Sequence, residues 1–385
     1  MSDDRAAGGP TYVLRGVGFA QGDPYTLART DRAAPIASIV GDGTAAALLA
    51  PAAGGVIVVG DGAAAQRFDA TGTSLWTVGY DAVGAQAALV GDGGPDDRMI
   101  VADATTVRAL AADGTITWER ALDGATTGVS QVVADRAGGA WVVGAFTGDF
   151  PPWVSGVRKD GLAVRGHFIL RFDGAGDVVA ANAWDDTSDA GLAWTQALAV
   201  ARGDGSTELV LVGGANPGSG AVPALDIARD DGDGPFVVTF DATGALLWSH
   251  PLDRGVELAA DGDGNLLALS VLASSSSDAG APPPASTGLV GSSATTSVVR
   301  SLLIERWDAS GAPLGDRTAV PVRTTSLGVL TWTSAPTSGG IVVAGQWLAA
   351  PQSDESVVVE CPQPAFAFRA QTESLLITPL TVVAR

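Results

Sequence analysis

The sequence predicts an all-β chain folded as a single β-propeller of seven four-stranded blades, with six blades as the alternative. Three observations predict it. A hairpin unit recurs along the chain, a glycine-led strand signature precedes it at regular intervals, and no stretch shows helical periodicity.

The hairpin unit is clearest in Arg67-Phe-Asp-Ala-Thr-Gly-Thr-Ser-Leu-Trp76 and Thr239-Phe-Asp-Ala-Thr-Gly-Ala-Leu-Leu-Trp248. Looser copies are LAADGTITW ending at Trp118, RFDGAGDVVA from Arg171 and RWDASGAPL from Arg306. A strand ends on Asp, whose carboxylate can bond the turn backbone. Gly72, Gly114, Gly176, Gly244 and Gly311 then supply the positive φ from which the next strand starts. The Leu-Trp pair that follows is expected to pack in the interface between sheets.

The second signature, Gly-Gly, four apolar residues and Gly, occurs as GGVIVVG from Gly54, GGAWVVG from Gly138 and GGIVVAG from Gly339. Each marks a tight turn into a buried strand, and a further apolar run precedes each, giving four strands per unit. The uncharged stretch from Gly43 to Gly60 is long enough to raise a membrane span, but Pro51, Gly54 and Gly55 divide it into two short strands joined by a turn.

Six complete units start near Ala45, Ala85, Val129, Thr195, Val256 and Ser326. A seventh is expected to join residues 375–385, as first strand, to residues 7–33, as second and third strands and the approach to the fourth. Residues 1–385 then form one domain. Closing the ring in this way removes open sheet edges.

Charged residues are 17% of the chain, Gly numbers 51, and Lys159 is the one lysine, so the chain is turn-rich and much of it is buried. The balance of 22 basic to 42 acidic residues, net −20, repels phosphate backbones and anionic lipid heads; nucleic-acid binding and membrane insertion are set aside. Cys361 stands alone, so no internal disulfide forms, and its acidic neighbours disfavour a reactive thiol. The first residues, MSDDRAAGGP, lack a basic-then-apolar signal pattern.

RFDATGTSLW, LAADGTITW and TFDATGALLW resemble the repeats of PQQ-like propellers, and GGAWVVGAFTGDFPP with HFILRFDGAGDVV resembles the bacterial SBBP-type repeat. The resemblance covers most of the chain and implies the architecture. Its family holds quinoprotein dehydrogenases beside scaffolding and binding members. The dehydrogenases hold their quinone with a calcium site and a disulfide of adjacent cysteines, and a chain with Cys361 alone lacks that disulfide. Family analogy and a Ser/Pro-rich stretch favour export over a cytoplasmic location.

Strand parity places the loops between second and third strands on the face shared with the connections between blades. These loops are short in the first two complete units and long in the next four, running roughly Thr147 to Gly166, Gly214 to Pro235, Ala273 to Ser297 and Trp347 to Pro364. Per-repeat insertions of this kind often build a binding face. Asp149, Phe150, Trp153, Arg158, Lys159 and Arg165, with Trp347 on the last loop, combine aromatic and cationic groups able to stack on a sugar or grip a carboxylate. The plainer reading has Phe150 and Trp153 as local core and the charges as solvated rim.

Asp230, Asp231 and Asp233 alternate oxygen ligands as calcium loops do, so calcium is the one cofactor considered. They lack the distal bidentate Glu of a complete loop, and Gly-Asp-Gly recurs elsewhere as turn chemistry. For hydrolysis the chain offers His167, read as a rim residue, and His250, which alternation turns away from Ser249. No catalytic constellation stands out. The sequence therefore points to a monomeric, non-enzymatic binding or scaffolding propeller with a protein or carbohydrate ligand. The alternative is a propeller enzyme, either a carboxylate hydrolase or lyase or a diverged quinoprotein.

Overall fold

A computed structural model describes the strands named below and the turn residues at 55, 69, 71–73, 103–105, 111–115, 122, 135, 138–139, 173–177, 192, 202, 205–206, 225, 241–245, 252, 264–265 and 308–314. The chain divides into two compact units, Met1–Arg254 and Gly255–Arg385.

Four antiparallel sheets occupy the first unit after a three-stranded one (Tyr12–Gly16, Tyr25–Arg29, Pro35–Ile39). The first sheet is Ala45–Leu49, Val56–Gly60, Ala64–Phe68 and Ser74–Gly79; the second is Gln86–Val90, Arg98–Ala102, Thr106–Leu110 and Ile116–Ala121. The third is Ala125–Ala134, Ala140–Gly148, Arg165–Phe172 and Val178–Asp185; the fourth is Ala193–Ala201, Thr207–Ala215, Gly234–Phe240 and Leu246–Pro251. Within each, sequence neighbours are spatial neighbours. The apolar stretch at Gly43 to Gly60 is the hairpin expected, with Leu48 opposite Val58.

Consecutive sheets approach one another through their first strands, Ala45–Leu49 to Gln86–Val90, then Ala125–Ala134, then Ala193–Ala201. Four-stranded meanders meeting at their first strands have the arrangement of propeller blades. Alternation along each strand feeds two interfaces at once. In the second sheet, Met99 and Val101 pack with Ile57 and Val59 of the first, while Ile100 and Ala102 pack with Val142, Phe168 and Leu170 of the third. Trp141, Val143 and Ile169 turn the other way, toward Leu209, Leu211 and Phe236 of the fourth. Strands buried on both faces read as continuous apolar runs. Each large side chain buried in this way contributes roughly 1.5–3 kcal/mol.

The Asp turns form as expected. Gly72, Gly114, Gly176, Gly244 and Gly311 have φ between +80° and +92°. Asp69 Oδ1 accepts the Thr71 and Thr73 amides at 2.8 and 2.9 Å and the Thr71 hydroxyl at 2.7 Å; Asp241 and Asp308 repeat the pattern. The ladder slips at Arg67/Phe68, Ala109/Leu110, Arg171/Phe172 and Thr239/Phe240, the bulge that accompanies a three-residue hairpin ending on a left-handed glycine.

The expected Leu-Trp packing holds for the tryptophan and not for the leucine. Trp76 lies on Gly114 of the next sheet, where an added Cβ would come within 2.9 Å of the indole, and Trp118 likewise lies on Gly176. Leu75 and Leu247, one position earlier, face solvent on the outermost strand, as alternation requires.

In Gly255–Arg385, Glu257–Ala260, Leu266–Ala273, Val298–Trp307 and Thr318–Thr324 form another meander. Beyond it the structure departs from the sequence reading. Ser356–Val359 and Phe366–Arg369 extend this sheet from the edge of Thr318–Thr324, so the sixth unit, Leu330–Thr337 with Gly340–Trp347, lacks those strands and takes Leu380–Val382 as its third. An outermost strand presents unpaired amides and carbonyls that template such an addition. Leu380–Val382 pairs with Gly340–Trp347.

Candidate functional site

The two ends of the sheets in Met1–Arg254 carry different connections. At one end, the turns between third and fourth strands are bound by the preceding sheet. Arg67 Nη1 donates to the Ala112 carbonyl at 2.6 Å and Trp76 Nε1 to the same oxygen at 2.9 Å. Arg98 Nη1 reaches the Gly174 carbonyl, and Arg171 Nη1 donates to the Ala242 carbonyl at 3.2 Å. Each acceptor is the second residue of its turn, Ala112 following Ala111 where the others follow an Asp, so a latch joins first to second, second to third, and third to fourth sheet, its arginine coming from the third strand in the first and third sheets and from the second strand in the second. Arg171 is held in turn by Asp135, Nε to Oδ2 2.7 Å with the carboxylate 1% exposed, and stands 5.8 Å from the Trp141 ring centroid.

Hydrogen bonds hold the turn carboxyls below the usual carboxylate range. For Asp69 the Thr71 hydroxyl is the main cause, and for Asp113 the Thr115 amide. For Asp241, desolvation pushes upward but is outweighed by the bonds from Thr243, Ala245 and Gly244.

At the other end, second and third strands are joined by 61–63 in the first sheet and 103–105 in the second, but by 149–164 in the third and 216–233 in the fourth. The short turn at Asp103 is self-contained. Its Oδ1 accepts the Thr105 and Thr106 amides, both at 2.8 Å, and its Oδ2 meets Arg108 Nη1 at 3.0 Å; Arg108 also binds Glu119 at 2.6 Å.

Where the two long segments leave and return, the structure places an aromatic floor. His167 is 4% exposed, not a rim residue, because its strand position opposite Ala145 and Trp184 turns it toward the fourth sheet. Its ring is stacked with Trp184 at 6.2 Å and meets Trp194 edge-on at 5.8 Å, and Trp194 Nε1 donates to its Nδ1 at 3.3 Å. Trp194 packs edge-on against Phe236, and Trp184 stacks on Phe240. Leu225, from within 216–233, is buried in the same cluster and pins that segment to it. Through Leu225 the floor holds segment 216–233.

Asp149, Phe150, Trp153, Arg158 and Lys159 lie outside the described residues, as do Asp230, Asp231 and Asp233. Arg165 opens its strand opposite Thr147, and Trp347 ends its strand opposite Leu330. His250 is exposed, in register with Val237, while Ser249 faces Val238. Among the described residues no group of three His, Cys, Asp or Glu gathers in a metal-binding arrangement, and no helix is long and apolar enough to cross a membrane. The sequence reading missed the His167, Trp184 and Trp194 cluster. Its signal was the placement of Trp184 and Trp194 at the ends of two strands flanking one connection.

No family model and no curated protein matches the chain. Among solved structures, it is similar to BamB from Moraxella catarrhalis, at 13% identity over 88% of this chain and 96% of that one, TM-score 0.38. It is also similar to the dihydro-heme d1 dehydrogenase NirN in complex with DHE, at 12% identity over 94% and 73%, TM-score 0.46. Likenesses at this level decide nothing about this chain, whose fold stands on its own strand pairing.

Proposed function

We propose that the chain is a binding or scaffolding β-propeller, a ring of seven blades or of six, whose partner face in Met1–Arg254 is built by segments 149–164 and 216–233. One observation carries this reading. Adjacent sheets with the same meander and the same latch differ at one end alone, where turns of three residues give way to segments several times longer. A latch that needs no such segments leaves them available for recognition. Segment 274–297 occupies the corresponding place between second and third strands in Gly255–Arg385.

Within 149–164, Phe150 and Trp153 would supply flat apolar surface, and Arg158 and Lys159 would supply charge. That pairing suits a carbohydrate ring or an acidic group on a protein partner. Calcium at Asp230, Asp231 and Asp233 would brace the neighbouring segment. Thermal unfolding across a panel of oligosaccharides and acidic peptides, each with calcium or EDTA, tests the reading, because a ligand of the folded state raises the midpoint. A ligand-dependent rise abolished by W153A with R158A is expected. A rise that survives both substitutions would place the site elsewhere.

A further inference from the structure

Each four-stranded sheet of Met1–Arg254 ends on an outermost strand that pairs on one side alone: Ser74–Gly79, Ile116–Ala121, Val178–Asp185 and Leu246–Pro251. Natural sheets guard such edges with charge or proline. Glu119 and Arg120 stand on the second of these strands, Asp185 on the third and Pro251 on the fourth. Ser74–Gly79, with the sequence Ser-Leu-Trp-Thr-Val-Gly, carries neither guard.

Alternation gives that strand two unlike faces. Trp76 and Val78 pack with Ile57, Val59, Met99 and Val101 between the first and second sheets and hold the backbone in place. Leu75, Thr77 and Gly79 are exposed, and Leu75, at 54%, is the most exposed large apolar side chain among the described residues. The bulge at Arg67/Phe68 leaves Leu75 without a cross-strand partner, but the ladder is regular from Trp76, opposite Arg67, to Gly79, opposite Ala64. In Gly255–Arg385 the chain adds a strand to an outer edge over a shorter register. There Ser356–Val359, with the sequence Ser-Val-Val-Val, joins Thr318–Thr324 antiparallel through Val359 opposite Val322 and Val358 opposite Arg323.

We propose that Ser74–Gly79 is a strand-addition site for an extended segment of a protein partner, with β-branched residues at the centre of that segment and lysine or arginine at its ends. Main-chain hydrogen bonds to the open edge supply the affinity, and side chains of the added strand stand beside Leu75 and Thr77. Charge selects such a partner over a second copy. The chain carries −20 overall, so two copies repel. Asp69 lies in the turn that enters the strand, and Asp113 precedes Gly114, on which the Trp76 ring lies. Arg67, the nearest cation in the sequence, is spent on the Ala112 carbonyl. A cationic segment therefore meets complementary charge at the start of the strand. This edge belongs to the first sheet and is separate from segments 149–164 and 216–233, so its test stands apart from the proposed partner face.

The probe is the peptide Lys-Val-Thr-Val-Thr-Val-Lys, labelled for fluorescence anisotropy, with Glu-Val-Thr-Val-Thr-Val-Glu as its counterpart. The full chain is expected to bind the lysine peptide at least about tenfold more tightly than the glutamate peptide, and amide hydrogen exchange is expected to slow at Ser74–Gly79 in the complex. Thr77→Lys, at an exposed position, sets like charge against the lysine peptide and should weaken its binding about tenfold or more while the thermal midpoint stays within about 2 °C of the wild type. If Thr77→Lys fails to fold, the exchange map of the wild-type complex decides alone. No binding of the lysine peptide, equal binding of the two peptides, protection confined to other strands, or unchanged binding in Thr77→Lys would each overturn the proposal. So would a wild-type dimer in sedimentation velocity that Thr77→Lys dissolves, since a second copy would then hold the edge.

Discussion

The sheets of Met1–Arg254 have one repetitive end and one variable end, and the contrast separates structure from specialisation. At the repetitive end, Asp69, Asp173 and Asp241 fold their turns with their own carboxylates, and Ala112, Gly174 and Ala242, each the second residue of its turn, offer a carbonyl to an arginine of the preceding sheet. A feature copied from sheet to sheet in this way serves the repeat itself. At the variable end, Asp103 makes a three-residue turn in one sheet, while 149–164 and 216–233 span the same place in the next two. Length that the repeat does not need is where function can be added.

The largest expected effect is at the repetitive end. Replacing Arg171 with Met removes the guanidinium from a carboxylate only 1% exposed and breaks the latch to the Ala242 carbonyl, at a cost of about 3 kcal/mol in a denaturant titration. Adding Asp135→Asn should restore part of the loss. Equal stability of wild type and R171M would show that the latch is ornamental. Gly176→Ala meets a left-handed backbone at φ +83° and an indole carbon at 2.5 Å, for about 2–3 kcal/mol. The same change at Gly205, whose added Cβ would meet nothing within 4 Å, should cost less, since only the backbone term applies there. Equal losses at both positions would remove the tryptophan contact from the account.

Trp76→Phe keeps an aromatic ring but deletes the donor to the Ala112 carbonyl and part of the indole that lies on Gly114, an expected loss of about 1–2 kcal/mol. Acid should act at the same end. With Asp69, Asp113 and Asp241 held below their ordinary values, their stabilisation is present above about pH 3.9 and is lost as pH falls through it. Asp241→Asn keeps an acceptor oxygen and should shed that residue's share of the acid loss, read from thermal midpoints at pH 5 and pH 3. An unchanged acid response would assign the loss to other carboxylates. The smallest effect on stability belongs to the variable end, where W153A with R158A should shift the midpoint by less than about 2 °C while removing any ligand response.

Much of this arrangement is written locally. The six unit starts read near Ala45, Ala85, Val129, Thr195, Val256 and Ser326 fall within a few residues of first strands at Ala45, Gln86, Ala125, Ala193, Glu257 and Leu330. Turn glycines and period-two alternation are short-range signals, which is why they could be read. Pairings between distant segments carry no such signal. Nothing in Ser356–Val359 marks its joining to Thr318–Thr324, and nothing in Leu380–Val382 distinguishes Gly340–Trp347 from the N-terminal strands as its neighbour. The burial of His167 was illegible for a related reason, since it depends on Trp194 from the next sheet. The segment lengths that define the candidate face were legible from the sequence, but what 149–164 grips depends on side-chain placement that strand patterns do not encode.

The most direct measurement replaces 149–164 with the three-residue turn Asp-Ala-Thr that serves the second sheet at 103–105, and follows thermal unfolding with and without the oligosaccharide and peptide panel. An added segment for recognition predicts an unfolding midpoint within about 4 °C of the wild type and complete loss of any ligand-induced rise. A chain that no longer folds, or one that keeps its ligand response, would contradict the division between a structural end and a binding end.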